Sequence, residues 1–151
     1  MRFASVAAGS VKILRESPNN SLDAIFLTGY SGFVVEVLFT DEFGTWWDGL
    51  TAEEQGSVNA TVILLSTKGI ALGYPHSSKI SASRHSHVRE LRIQHEGRPY
   101  RVLYAFDPNR DALLLIGGDK TGNDRWYEIF VPIADRLYDE HLDELKRKKI
   151  T

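Results

Sequence analysis

VRELRIQHEGRPYRVLYAF, Val88 to Phe106, is the stretch whose reading decides the fold. Two β-branched and aromatic runs, Val88–His95 and Tyr100–Phe106, flank a short EGRP connection of turn composition, which predicts an antiparallel hairpin. Side chains alternate between the two sides of a strand, so the pairing assigns faces. With His95 opposite Tyr100, Leu91, Ile93, Tyr100, Val102, Tyr104 and Phe106 share one face, to be buried under helices. Glu90, Arg92, Gln94, Arg101 and Leu103 share the other, expected to stay open, with Arg92 and Arg101 as diagonal neighbours.

Working outward, ALLLIGG (Ala112–Gly118) follows the DPNRD turn and is apolar at nearly every position, as suits a strand covered on both sides. Upstream, Phe33–Thr40 reads as a strand with Phe33, Val35, Val37 and Phe39 on one face. DEFGTWWDGL from Asp41 is a short amphipathic helix, and Thr51-Ala-Glu-Glu54 is a capping box that starts a second. Gly73 to about His87 reads as a serine- and histidine-rich loop. From about Asn123 a final helix is expected, kinked or split by Pro132, with Trp126, Phe130, Ile133, Leu137 and Leu145 facing the sheet. The expected class is α+β: a mostly antiparallel four-stranded sheet, an N-terminal helix hairpin and a C-terminal helix. Residues 1–32 show no sustained period and read as a loosely ordered N-terminal extension to a domain spanning 33–151.

Composition narrows the function. The 151 residues suit one domain, and their net charge of −2 gives no global sign of a nucleic-acid partner. The absence of cysteine excludes disulfides, thiolate nucleophiles and cysteine-ligated metals. The glycine-interrupted Leu22–Phe39 stretch carries Asp23 and Glu36, so no membrane span is expected and the cytoplasm is the expected location. Locally the balance reverses: residues 79–110 hold seven Lys and Arg against three Asp and Glu. Two arginines on adjacent strands repel unless an anion lies between them, and phosphate is the natural candidate. A solvated network of surface arginines with Glu90 would give the same pattern, and the residues alone leave both open. His85 and His87 lack a placed third ligand, so neither a metal nor any other cofactor is expected.

The element order, with FTDEFGTWWDGLTAEEQ, GRPYRVLYAFDP (Gly97–Pro108), LLLIGGDKTG (Leu113–Gly122) and WYEIFVPIADRLYDEHL, resembles the RelE/HigB toxin superfamily, in particular its phage-derived HigB-like branch. The resemblance covers about residues 33–145. It implies a RelE-like fold and a toxin, partnered by a HigA-like helix-turn-helix antitoxin, that cuts messenger RNA on the ribosome without metal. Carried over by position, the resemblance implies catalytic roles for Arg92, Arg101, Lys120 and Tyr127. Lys79, Arg84, His85, His87, Arg98 and Arg125 are the expected RNA-binding set. Proton transfer falls to Tyr127, His85 or His87. Two other functions share the architecture: a ParE-like toxin that binds a topoisomerase without catalysis, and an inactive antitoxin-binding module. The acidic stretch Tyr138–Leu145 sits awkwardly with ribosome binding.

Overall fold

The computed structural model describes residues 3–4 and 35–150. The expected N-terminal extension therefore falls almost wholly outside the described residues, as do Phe33 and Val34 of the expected first strand. Among the described residues the elements are β1 (Phe3–Ala4), β2 (Val37–Thr40), α1 (Asp41–Asp48), α2 (Ala52–Lys68), a 3-10 turn (Gly69–Ala71), β3 (Ser77–Lys79), β4 (Val88–His95), β5 (Arg98–Phe106), β6 (Ala112–Asp119) and α3 (Trp126–Ile150). The sheet order is β1-β2-β6-β5-β4-β3, antiparallel throughout except where β2 runs parallel to β6.

The expected four strands are β2, β4, β5 and β6. Beyond residue 35 a fifth, β3, lies inside what was read as loop, and Phe3–Ala4 pairs with the opposite edge. Three residues, SSK, carry no detectable period and little strand propensity; pairing with β4 creates this strand.

Local signals set both hairpin helices. Thr40 caps α1 by accepting from the Phe43 amide, and the Thr51 hydroxyl and Glu54 carboxylate close the capping box at α2. Thr40 has a second task. The β5–β6 register slips between Leu103↔Ile116 and Tyr104↔Leu114, leaving Leu115 as the extra residue of a bulge, and the buried Thr40 hydroxyl donates to its carbonyl at 2.6 Å.

Each face of the sheet supports its own core. Phe43, Val58, Val62 and Leu65 of α1 and α2 pack on Leu91, Ile93, Tyr100, Val102 and Tyr104, the hairpin face expected to be buried. The other face is not bare. Trp126, Val131, Ala134, Leu137 and Tyr138 of α3 cover Val88, Leu103, Ala105, Leu113 and Leu115. The sheet is the middle of three layers, because Leu103 and the doubly apolar β6 present hydrophobic surface to that side as well. Pro132 neither splits nor ends α3. It removes one intrahelical donor near the helix start, on an exposed position where its ring meets solvent and not a packed neighbour.

The β5–β6 turn is organised by Asp107. One carboxylate oxygen accepts from the Asn109 and Asp111 amides, each at 2.9 Å, and the other lies 2.7 Å from Nε2 of buried His141 on α3. Burial, then the negative charges of Asp107 and Glu36, push the Asp111 carboxyl up to about 6. A folded-state value above the unfolded ~3.9 means the native state binds more protons between about pH 4 and pH 6, so this group's contribution falls as pH rises through that window. Asp111→Asn removes the penalty. It is expected to stabilise the fold by about 1 kcal/mol at pH 7.5, after allowance for solvent screening, and by nothing below about pH 4. Thermal unfolding at the two pH values checks it.

Candidate active site

The hairpin connection is the two-residue turn Glu96-Gly97, with φ of 49° and 79°, the left-handed pair that suits strand twist. Each pairing is therefore shifted from the expected one, and Arg92 faces Arg101 directly instead of diagonally. The shift is even, so the face assignment survives. Arg92 and Arg101 lie on the α3 side of the sheet, at the margin where that helix begins.

The glycine pair of β6 brings helices close at this margin. A Cβ on Gly117 would lie 2.3 Å from the Trp46 ring on one face, and one on Gly118 would lie 2.8 Å from Trp126 Nε1 on the other. Gly118 is also the residue opposite Arg101 in the ladder. With Trp126 seated there, the next residue, Tyr127, reaches the hairpin.

Glu90 is the hub of what assembles. It is 4% exposed. Its Oε2 accepts from the Ser78 hydroxyl at 2.6 Å and Arg92 Nη1 at 3.0 Å; its Oε1 accepts from the Tyr127 hydroxyl at 2.6 Å and lies 3.5 Å from Arg101 Nε. Arg101, 5% exposed, also donates through Nη1 to the Tyr100 carbonyl, while its buried Nε completes no hydrogen bond. The Lys120 ammonium sits 5.7 Å from the centre of the Tyr127 ring. Glu90 and Arg101 thus form a floor, and half-buried Arg92, Lys120 and Tyr127 a rim.

Two consequences follow from this geometry. The anion that the facing arginines need is supplied by the chain itself, in Glu90, so their repulsion alone does not call for phosphate. Burial and the Glu90 carboxylate raise the Tyr127 hydroxyl above its usual range, with Arg101 partly opposing, so Tyr127 holds its proton at neutral pH and has it to donate.

The sequence singled out Arg92, Arg101, Lys120 and Tyr127, and the fold places the four together. Glu90 was expected on that face only as part of a solvated arginine network; it is instead buried, the common partner of Arg92, Arg101 and Tyr127. The expected RNA-binding residues do not join them. Arg98 projects from the opposite side toward Glu54 and Asp119, because with the turn at Glu96-Gly97 it shares the face of Tyr100. Lys79 is exposed at the edge strand, in register with Arg89 and out of step with Ser78. Arg84 and His85 are pinned to the middle of α3: Arg84 pairs with Asp139 and Asp135, and His85 Nε2 lies 2.7 Å from Asp139. Ser83 adds a bond to Asp135 at 2.5 Å. His87 is exposed just before β4, and Arg125 pairs with Glu128 in solvent. Part of the acidic stretch is thereby accounted for, since Asp139 holds the 83–85 loop while His141 meets Asp107. Among the described residues no group of three or more His, Asp and Glu is placed to hold a metal ion, and no helix is long and apolar enough to cross a membrane.

Comparison with known proteins adds an independent line. The family model described as phage derived protein Gp49-like matches residues 45–139. A Mycobacterium tuberculosis protein carrying the toxin name HigB2 is 36% identical over 111 residues, 72% of this chain and 55% of the relative. Another from that organism, carrying the toxin name HigB3, is 40% identical over 101 residues, 66% of this chain and 87% of the relative. The chain spans about half the length of the first of these relatives. No solved structure matches.

Proposed function

The chain belongs to the phage-derived Gp49-like family, with relatives named as HigB toxins, and from that premise we propose that it is the toxin of a toxin–antitoxin pair and cuts messenger RNA on the ribosome. The partner in this reading is a HigA-like antitoxin, and the place of action is the cytoplasm. The observation that carries it is the convergence of Arg92, Arg101 and Tyr127, from two strands and one helix, on a single buried carboxylate, with Lys120 beside the Tyr127 ring.

Cleavage by the ribose 2′-hydroxyl requires a proton acceptor, positive charge around the pentacoordinate phosphorus and a donor for the leaving oxygen. In the proposed reaction the scissile phosphate draws Arg92 and Arg101 away from Glu90. The arginines and Lys120 then meet the charge growing on the phosphoryl oxygens. Glu90, released by its cationic partners, takes the 2′-hydroxyl proton as the 2′-O–P bond forms. Tyr127, held protonated, donates to the 5′-oxygen as the P–O bond breaks. The products are a 2′,3′-cyclic phosphate and a 5′-hydroxyl end.

Inducing the protein in cells and mapping message ends by primer extension tests the reading. Cuts at fixed positions within codons support it; intact messages with a DNA-damage response would identify a topoisomerase poison instead. Tyr127→Phe keeps the ring beneath Lys120 and loses only the hydroxyl. It is expected to slow cleavage by roughly ten- to hundredfold, with water replacing the lost donor in part. The loss should shrink for a message whose leaving oxygen is replaced by sulfur, which needs no proton; cleavage of both messages by wild type and variant checks this.

A further inference from the structure

Tyr74 is 78% exposed, a large aromatic side chain left in solvent. The backbone around it is nevertheless anchored. Leu72 beside it is buried in the core under α2, the amides of His76 and Ser77 both donate to the Gly73 carbonyl at 3.0 Å, and the Arg92 amide donates to the His76 carbonyl at 2.8 Å. These bonds fix the backbone that carries the ring, and the Arg92 guanidinium carbon lies 5.4 Å from the ring centre. One face of the aromatic ring thus meets a rim arginine of the site, and the rest is open to water.

We infer that Tyr74 is a stacking platform for a nucleobase flanking the scissile phosphate, an inference that rests on the RNA-cleaving reading above. A phosphate engaged by Arg92 carries its neighbouring sugar and base past this ring. Every base has a flat π-face, so stacking binds the strand with little sequence demand while the arginine holds the backbone. The turn fixes the backbone beforehand, so only the side chain's own freedom is lost on binding.

The test is single-turnover cleavage of a short message on programmed ribosomes by wild type, Tyr74→Ala, Tyr74→Phe and Tyr74→Trp. Each is run on the intact message and on one lacking a base beside the cut. Tyr74→Ala is expected to weaken the apparent KM about tenfold, while Phe and Trp stay within about twofold of wild type. The abasic message should cost wild type a similar factor and cost Tyr74→Ala nothing further. Equal cleavage by Tyr74→Ala and wild type would overturn the assignment. So would multiplying losses in Tyr74→Ala on the abasic message, which would make the ring a brace for Arg92, or a loss confined to antitoxin binding, which would make it a protein contact. In all three cases the RNA-cleaving reading stands. A wild-type protein that cuts no message would overturn both.

Discussion

Arg101→Ala is expected to lower RNA cleavage about a thousandfold and to destabilise the fold by about 3 kcal/mol. The two effects share a cause. Arg101 and Glu90 are both almost fully buried, and deleting the guanidinium leaves a carboxylate whose other partners are Ser78, Arg92 and Tyr127. Removing one partner of a buried pair costs several kcal/mol because the remaining charge has lost its water as well. The catalytic loss comes from removing a donor aimed, in the proposed reaction, at the phosphoryl oxygens. Arg101→Lys separates the two. It retains the charge and should melt close to wild type, yet cleavage should remain roughly a hundredfold down because an ammonium cannot reproduce the planar fork. Melting curves beside single-turnover rates decide the matter. A folded Arg101→Ala protein that cuts at the wild-type rate would remove this residue from the reaction.

Glu90→Gln is the second large effect. The amide keeps the size of the side chain and one good acceptor, but it cannot take a proton and no longer neutralises the facing arginines. Cleavage should fall roughly a thousandfold, within the span of lost general-base catalysis. Binding of an uncleavable 2′-deoxy message should tighten severalfold, since the internal carboxylate no longer competes with phosphate for Arg92 and Arg101. Unrelieved repulsion should also lower thermal stability, and salt should recover little of it, because a buried guanidinium is weakly screened. Opposite movements of rate and affinity are the signature. A change in melting temperature with rate and affinity unaltered would make Glu90 a brace alone.

Much of this site was legible before any coordinates because strand parity tolerates error. The expected pairing of His95 with Tyr100 is displaced from the observed His95↔Arg98, yet the displacement is even, so Arg92 and Arg101 stay on one face. The same rule, applied once the turn is known to be Glu96-Gly97, sends Arg98 to the other side. The capping box at Thr51 was equally readable, since both partners lie within one helical turn. Harder to see were contacts between distant segments. Nothing near Asp139 in the chain announces that Arg84 and His85 will dock on it.

The sequence by itself determined the alternating faces of β4 and β5, the capped helix hairpin, the doubly apolar β6 and the local excess of positive charge, because each is encoded within a few consecutive residues. Only the tertiary structure decided that α3 closes over the second face and delivers Tyr127 to Glu90, and that the edge strand β3 brings Ser78 to the same carboxylate. Those outcomes depend on which apolar surfaces meet across long chain separations. That choice is made by burial and close packing of the whole chain, and no short window of residues contains it.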